Sequence, residues 1–250
     1  MSAYVIFSPH SHCTKDGIRN CDIRAGNAAQ LMYDKLIKNG VTTEKISWVK
    51  HNILRSDYDL NRFPSRDVEA RRELRSTVMK LYNDKDIKRI YLLEIHSFPY
   101  GWESDVQKIA IINREETYVN GILLAEELGG RKNGIYAFLG TEHIDIQNEY
   151  AAGRDKIIPF MIEVHESHDK ISDIELDKNF NIIAAKLIEG FEPAQKTVEI
   201  IIVRGDGIGK LPYYPRVLIV VFAILVLVLI LYFRPDLLDK IVSYVGGTLT

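Results

Sequence analysis

The sequence predicts an α/β protein, a sheet covered by helices on both faces, followed by a C-terminal transmembrane helix. Three observations carry this. Short β-branched apolar runs alternate with stretches of helical period as far as residue 188. The polar residues that stand out fall at or just after the ends of those runs. Residues 217–233 read VLIVVFAILVLVLILYF, without a charge, Gly, Pro, Asn or Gln.

The elements follow in order. Residues 3–8 (AYVIFS) form a buried strand that stops at Pro9. Residues 26–38 place Ala28, Leu31, Met32 and Leu36 on one helical face and end at Asn39-Gly40, a C-cap signal. A second strand spans 46–53. A helix spans 67–82, with Val68, Leu74, Val78 and Leu81 near helical period. Strands follow at 89–95 (RIYLLEI) and 108–112, then a helix at 118–128 ended by Gly129-Gly130. Strands at 135–139 and 157–164 and a long helix at 173–188 complete the pattern. Residues 197–203 (TVEIIIV) add an edge strand, and 205–216 form a Gly/Pro-rich linker. The division is therefore a domain at 1–204, the linker, the span at 217–233 and a short tail at 234–250.

A bilayer core of roughly 30 Å needs about 17–25 apolar helical residues, so 217–233 is short but sufficient. Tyr213, Tyr214 and Tyr232 stand where an aromatic belt lies, and Arg216 and Arg234 can snorkel at the two ends. The N-terminus has neither a basic region nor a long apolar core, which argues against a cleaved signal. With its span so late in the chain, the protein is expected to be tail-anchored, single-pass, with its N-terminal domain in the cytosol. Two cysteines, Cys13 and Cys21, are too few for a disulfide scaffold and fit a reducing compartment. A net charge of -2 and the lack of any basic block exclude nucleic acid as a partner.

Four polar clusters mark the strand ends: Ser8-Pro9-His10-Ser11-His12-Cys13 followed by Cys21-Asp22, then Asp59-Leu60-Asn61-Arg62, Glu94-Ile95-His96-Ser97 and Glu163-Val164-His165-Glu166. In open α/β sheets ligands bind beyond the carboxyl ends of strands. Imidazoles with a carboxylate are the ligand set of a zinc that keeps one position open. A further carboxylate suits a general base, and an Arg suits an anionic substrate group. A His after a strand is more often a hydrogen-bonded turn residue, and Arg62 alone reads as a salt bridge. Glu163 stands out more, because burying a carboxylate without a partner is costly.

The order SPHS, DLNR, IHS and a late Glu-bearing strand resembles the N-formylglutamate amidohydrolase family, itself similar in fold to zinc carboxypeptidases. The resemblance covers roughly residues 4–165, with DLNR (59–62) and IHS (95–97) its most specific pieces. It implies a three-layer α/β/α sandwich with a mixed sheet and zinc-dependent hydrolysis of an amide next to a carboxylate. Position by position, His10 and His96 match the family's zinc ligands, and Asp22 is the choice for an acidic third ligand. Asn61 and Arg62 match the pair gripping the substrate carboxylate, and Glu163 matches the base that activates water. The chain departs from the pattern in having His12 after the first His-Ser, in Cys13 where related carboxypeptidases have a Glu ligand, and in its membrane tail.

The resulting expectation is a membrane-anchored zinc amidohydrolase or carboxypeptidase-like enzyme acting on a small acyl-amino-acid or peptide. The alternative is an inactive relative serving as a membrane-bound structural or interaction protein. The lipid bilayer is the expected partner of 217–233.

Overall fold

In a computed structural model the described residues are 1–13, 21–99, 107–140 and 144–191. They all belong to one compact unit, Met1–Thr197. Strands β1 (Ser2–Phe7), β2 (Ile46–Val49), β3 (Arg89–Phe98), β4 (Ile109–Asn113), β5 (Ile135–Leu139) and β6 (Ile157–His165) form one mixed sheet in the order β2-β1-β3-β6-β4-β5. The first four of that order run parallel, β4 is antiparallel to β6, and β5 is parallel to β4.

The apolar runs explain the core. From Ile90 to Leu93 in β3 every residue is fully buried, as expected of a central parallel strand covered on both faces. Tyr4 and Ile6 of β1, Tyr91, Leu93 and Ile95 of β3, and Phe160, Ile162 and Val164 of β6 share one core. Helices α1 (Ala25–Lys38), α3 (Tyr118–Glu127) and α5 (Asp173–Glu189) cover it with Met32, Leu36, Leu124, Phe180 and Ile183. The alternate residues Ala3, Val5, Phe7, Ile90 and Leu92 face α2 (Glu69–Asn83) and α4 (Asp145–Ala151) through Leu74, Val78, Ile146 and Tyr150. The period-two alternation thus divides two cores between the sheet faces, and the fold has three layers.

Most boundaries follow the sequence. β3 is longer than its apolar run, so that His96 lies inside the strand rather than after it. β2 stops at Val49, where the chain turns and His51 Nε2 comes 2.9 Å from the Ser8 carbonyl. α4 is an addition: its seven residues are too few to show a helical period, yet it buries Ile146, Gln147, Tyr150 and Ala151.

The cysteines require a correction. Cys13 and Cys21 form a disulfide across a separation of 8 residues. Their number is too small for a scaffold, but a single short loop needs only two. No described helix is long and apolar enough to cross a membrane. The edge strand at 197–203, the linker, the span at 217–233 and the tail lie outside the described residues.

The topology places the site. From β1 the chain moves to β2 on one side, and the next strand, β3, lies on the other. In such sheets a reversal of this kind marks where a ligand site is expected, here at the carboxyl ends of β1 and β3.

Candidate metal centre

The exit of β1 is held on two sides. Ser8 Oγ donates to the Ile95 carbonyl at 3.0 Å, and the His51 ring lies against Phe7 at 5.7 Å between centroids. Two residues on, His10 is buried at the sheet end. The chain returns at Asp22, whose N–H donates to the His10 carbonyl at 3.0 Å. Arg24, also buried, fastens this return. Its guanidinium donates to the carbonyls of His165 and Ile171 and to Asp173, while its backbone N–H donates to Ser97 Oγ.

His10, Asp22 and His96 each offer a ligand atom, and those atoms lie within 4.8 Å of one another. Asp22 Oδ2 is 2.9 Å from His96 Nδ1 and 3.4 Å from His10 Nδ1. The opposite ring nitrogens meet further carboxylates: His10 Nε2 is 2.8 Å from Asp59 Oδ1, and His96 Nε2 is 3.1 Å from Glu94 Oε1. Two imidazoles therefore face one shared oxygen, and each has an acid behind it. Metal-binding histidines characteristically have such an outer partner, which fixes the tautomer and the ring plane.

Glu163 approaches from the neighbouring strand. It is in register with His96 across the β3–β6 ladder and with Ala110 across the β4–β6 ladder, so its side chain lies on the His96 face of the sheet. Ala110 leaves room beside it. Asp59 links the site to the segment before α2. It accepts from the Asn61 backbone N–H at 3.1 Å, and its Oδ2 lies 3.7 Å from Arg62 Nε and 3.8 Å from Arg55 Nε. Arg55 also reaches Asp22 Oδ1 at 3.4 Å. Arg62 is one-third exposed.

Charge dominates this end of the sheet. Burial pushes the Glu163 carboxyl up to about 7, and the negative charges of Asp22 and Glu94 add to that against His96 and Arg55. Burial would raise Asp22 too, but its hydrogen bonds with His10 and His96 outweigh it and hold the carboxyl well below the usual range. Asp59 is lowered to about 2, burial being outweighed by the bond with His10 and by the charges of His10 and Arg55. Burial disfavours a charged His96, yet hydrogen bonds with Asp22 and Glu94 and the charge of Glu163 lift it well above an ordinary imidazole.

The donor set fits a dication. Two imidazoles and one carboxylate are a zinc set with a position left open. His10 Nδ1 is buried and makes no hydrogen bond, although it faces Asp22, and Glu94 Oε2 is likewise unpartnered. Asp22, Glu94 and Glu163 are all buried, so a cation held by His10, Asp22 and His96 would offset charge that the protein otherwise balances with protons.

Of the residues singled out in the sequence, His10, Asp22 and His96 come together, Glu163 stands beside His96, and Asn61 and Arg62 join through Asp59. His165, the last residue of β6, is engaged locally: its Nδ1 accepts from the Ser167 N–H at 2.9 Å, and its ring lies edge-on to Phe98. Glu166 is bound by the Ser97 hydroxyl. Three contributors carried no assigned role. Glu94 could have been found as an acid two places before His96 on an apolar strand, hence on the same face. Asp59 lay within a noted cluster, and Arg55 has only its spacing of four from Asp59 to mark it.

No family model and no curated protein matches this chain. Among solved structures, the gene product Atu2144 from Agrobacterium tumefaciens is similar at 16% identity and a TM-score of 0.49, over 75% of this chain and 87% of that one. Succinylglutamate desuccinylase from Chromobacterium violaceum is similar at 11% identity and 0.46, over 74% of this chain and 59% of that one. N-acetylmuramoyl-L-alanine amidase from Clostridium difficile gives 11% and 0.37, over 75% and 96%. Likeness this distant carries no conclusion about chemistry, which rests on the residues themselves.

Proposed function

We propose that the chain is a zinc-dependent hydrolase of an amide next to a carboxylate, of the N-formylglutamate amidohydrolase type, with His10, Asp22 and His96 as metal ligands. The observation that carries this is the pair of buried histidines sharing Asp22, each backed by its own acid. Zinc bound there would polarise a carbonyl and acidify a water. Asp59 and Glu94 hold the two imidazoles in the tautomer that leaves Nδ1 free to bind. Glu163 takes the proton of the attacking water and returns it to the leaving nitrogen. Its carboxyl, raised by burial, is brought back towards ionisation by any cation beside it, and is therefore a base at neutral pH. Arg62 grips the substrate carboxylate with its planar fork, and Asn61 helps to orient it.

We also propose that residues 217–233 anchor the protein in a bilayer, with the N-terminal domain, 1–204, on the cytosolic side. The length and apolarity of the run and the composition break at Gly205 support this. The whole chain should partition with membranes and resist carbonate extraction, while residues 1–204 stay in the soluble fraction. A full-length chain extracted by carbonate would contradict the anchor.

Proton linkage gives a first test of the zinc site. A metal-free His96 with a raised pKa still holds its proton at neutral pH, whereas a ligand imidazole must be neutral. Zinc uptake at pH 7 should therefore release about one proton from this residue, and affinity should climb as pH rises towards its folded pKa. Calorimetry in buffers of different ionisation enthalpy reads the release directly. A heat independent of buffer would contradict the arrangement.

Kinetics separate the roles, on a substrate found by screening N-acyl amino acids and short peptides. Glu163→Gln should keep fold and zinc but lower turnover by roughly 100-fold or more. Arg62→Lys keeps the charge and loses the fork, so KM for a carboxylate-bearing substrate should rise while zinc stays bound. A Glu163→Gln protein as active as the parent would remove the base and favour the non-enzymatic reading.

A further inference from the structure

Two of the three metal-binding groups come from one stretch of chain, and a disulfide ties that stretch together. Cys13 follows His10 by three residues, and Cys21 immediately precedes Asp22. Their Cα atoms are 5.5 Å apart. His10 is fixed from the β1 side, through Ser8 and Asp59. Asp22 is approached from the α1 side, where the Arg24 N–H is held by Ser97. The disulfide and the hydrogen bond from the Asp22 N–H to the His10 carbonyl join the two sides. Cys13 is exposed whereas Cys21 is buried, so an attacking thiolate can reach the bond at the Cys13 sulfur.

We propose that the Cys13–Cys21 disulfide is a redox latch on the metal centre: oxidised, it holds Asp22 against His10 and His96; reduced, it lets Asp22 withdraw and weakens metal binding. The latch rests on the metal-site reading above. Opening is ordinary thiol–disulfide exchange. An external dithiol gives two electrons and two protons, the S–S bond breaks to leave Cys13 and Cys21 as thiols, and the dithiol becomes a disulfide.

The test compares zinc affinity of the full-length chain, oxidised and after reduction with a non-coordinating phosphine, by competition with a chromogenic chelator. Reduction should weaken binding roughly 10- to 100-fold, the scale on which closing a short loop constrains a chain. It should leave far-UV circular dichroism unchanged. The Cys13→Ser/Cys21→Ser variant should bind as weakly as the reduced chain, with or without phosphine. Asp22→Asn should bind weakly in both states, because the group that the latch positions is no longer a carboxylate. Equal affinity in the two states overturns the latch and leaves the metal site standing. Tighter binding after reduction overturns it by drawing the thiolates into the shell. Loss of helical signal on reduction overturns it by making the bond a general staple. No zinc in either state removes the metal site, and the latch with it.

Discussion

Asp22, Glu94 and Glu163 are buried around two imidazoles at one end of the sheet, and the electrostatic cost of that arrangement governs the rest of the molecule. Each ionised carboxylate taken out of water costs several kcal/mol unless it is paired and hydrogen-bonded. Without a metal, the balance comes from protons: His96 holds one tightly, and Glu163 is pushed towards its neutral form. A dication replaces those protons and offsets the same charge. Groups shifted this far by burial and by one another concentrate at functional sites.

The sheet can bear this load because its apolar length is spent elsewhere. β1, β3 and β6 feed the two cores along their whole length, from Ala3, Ile90 and Ile157 to Phe7, Ile95 and Val164, while Glu94, His96 and Glu163 fall in the carboxyl halves of β3 and β6. The β3–β6 register sets Glu163 beside His96 without any loop to position it. The return of the chain at Asp22 needs outside support, which Arg24 gives by joining it to the ends of β3 and β6.

Much of this was legible in the sequence. In 157–164 Ile158, Phe160, Ile162 and Val164 alternate with Met161 and Glu163, which sets Glu163 on the face opposite Phe160 and Ile162, and the structure has that division. Helices α1, α2, α3 and α5 follow their apolar spacing to within two residues at either end. What escaped depends on contacts distant in sequence. α4 is too short for periodicity, and it forms because Ile146 and Tyr150 complete the core beneath α2. Asp59 reaches His10 across 49 positions, and no local pattern announces that contact. The disulfide was missed because counting cysteines says nothing of two that flank one tight return of the chain. The membrane span rests on its composition alone, since 217–233 lies outside the described residues.

The central claim is that two imidazoles and one carboxylate, with no thiolate, bind zinc at the ends of β1 and β3. X-ray absorption at the zinc edge of the oxidised, full-length chain loaded with one equivalent reads that shell directly. The account predicts two imidazoles completed by oxygen, all at about 2.0–2.2 Å. Sulfur at about 2.3 Å, or fewer than two imidazoles, would contradict it.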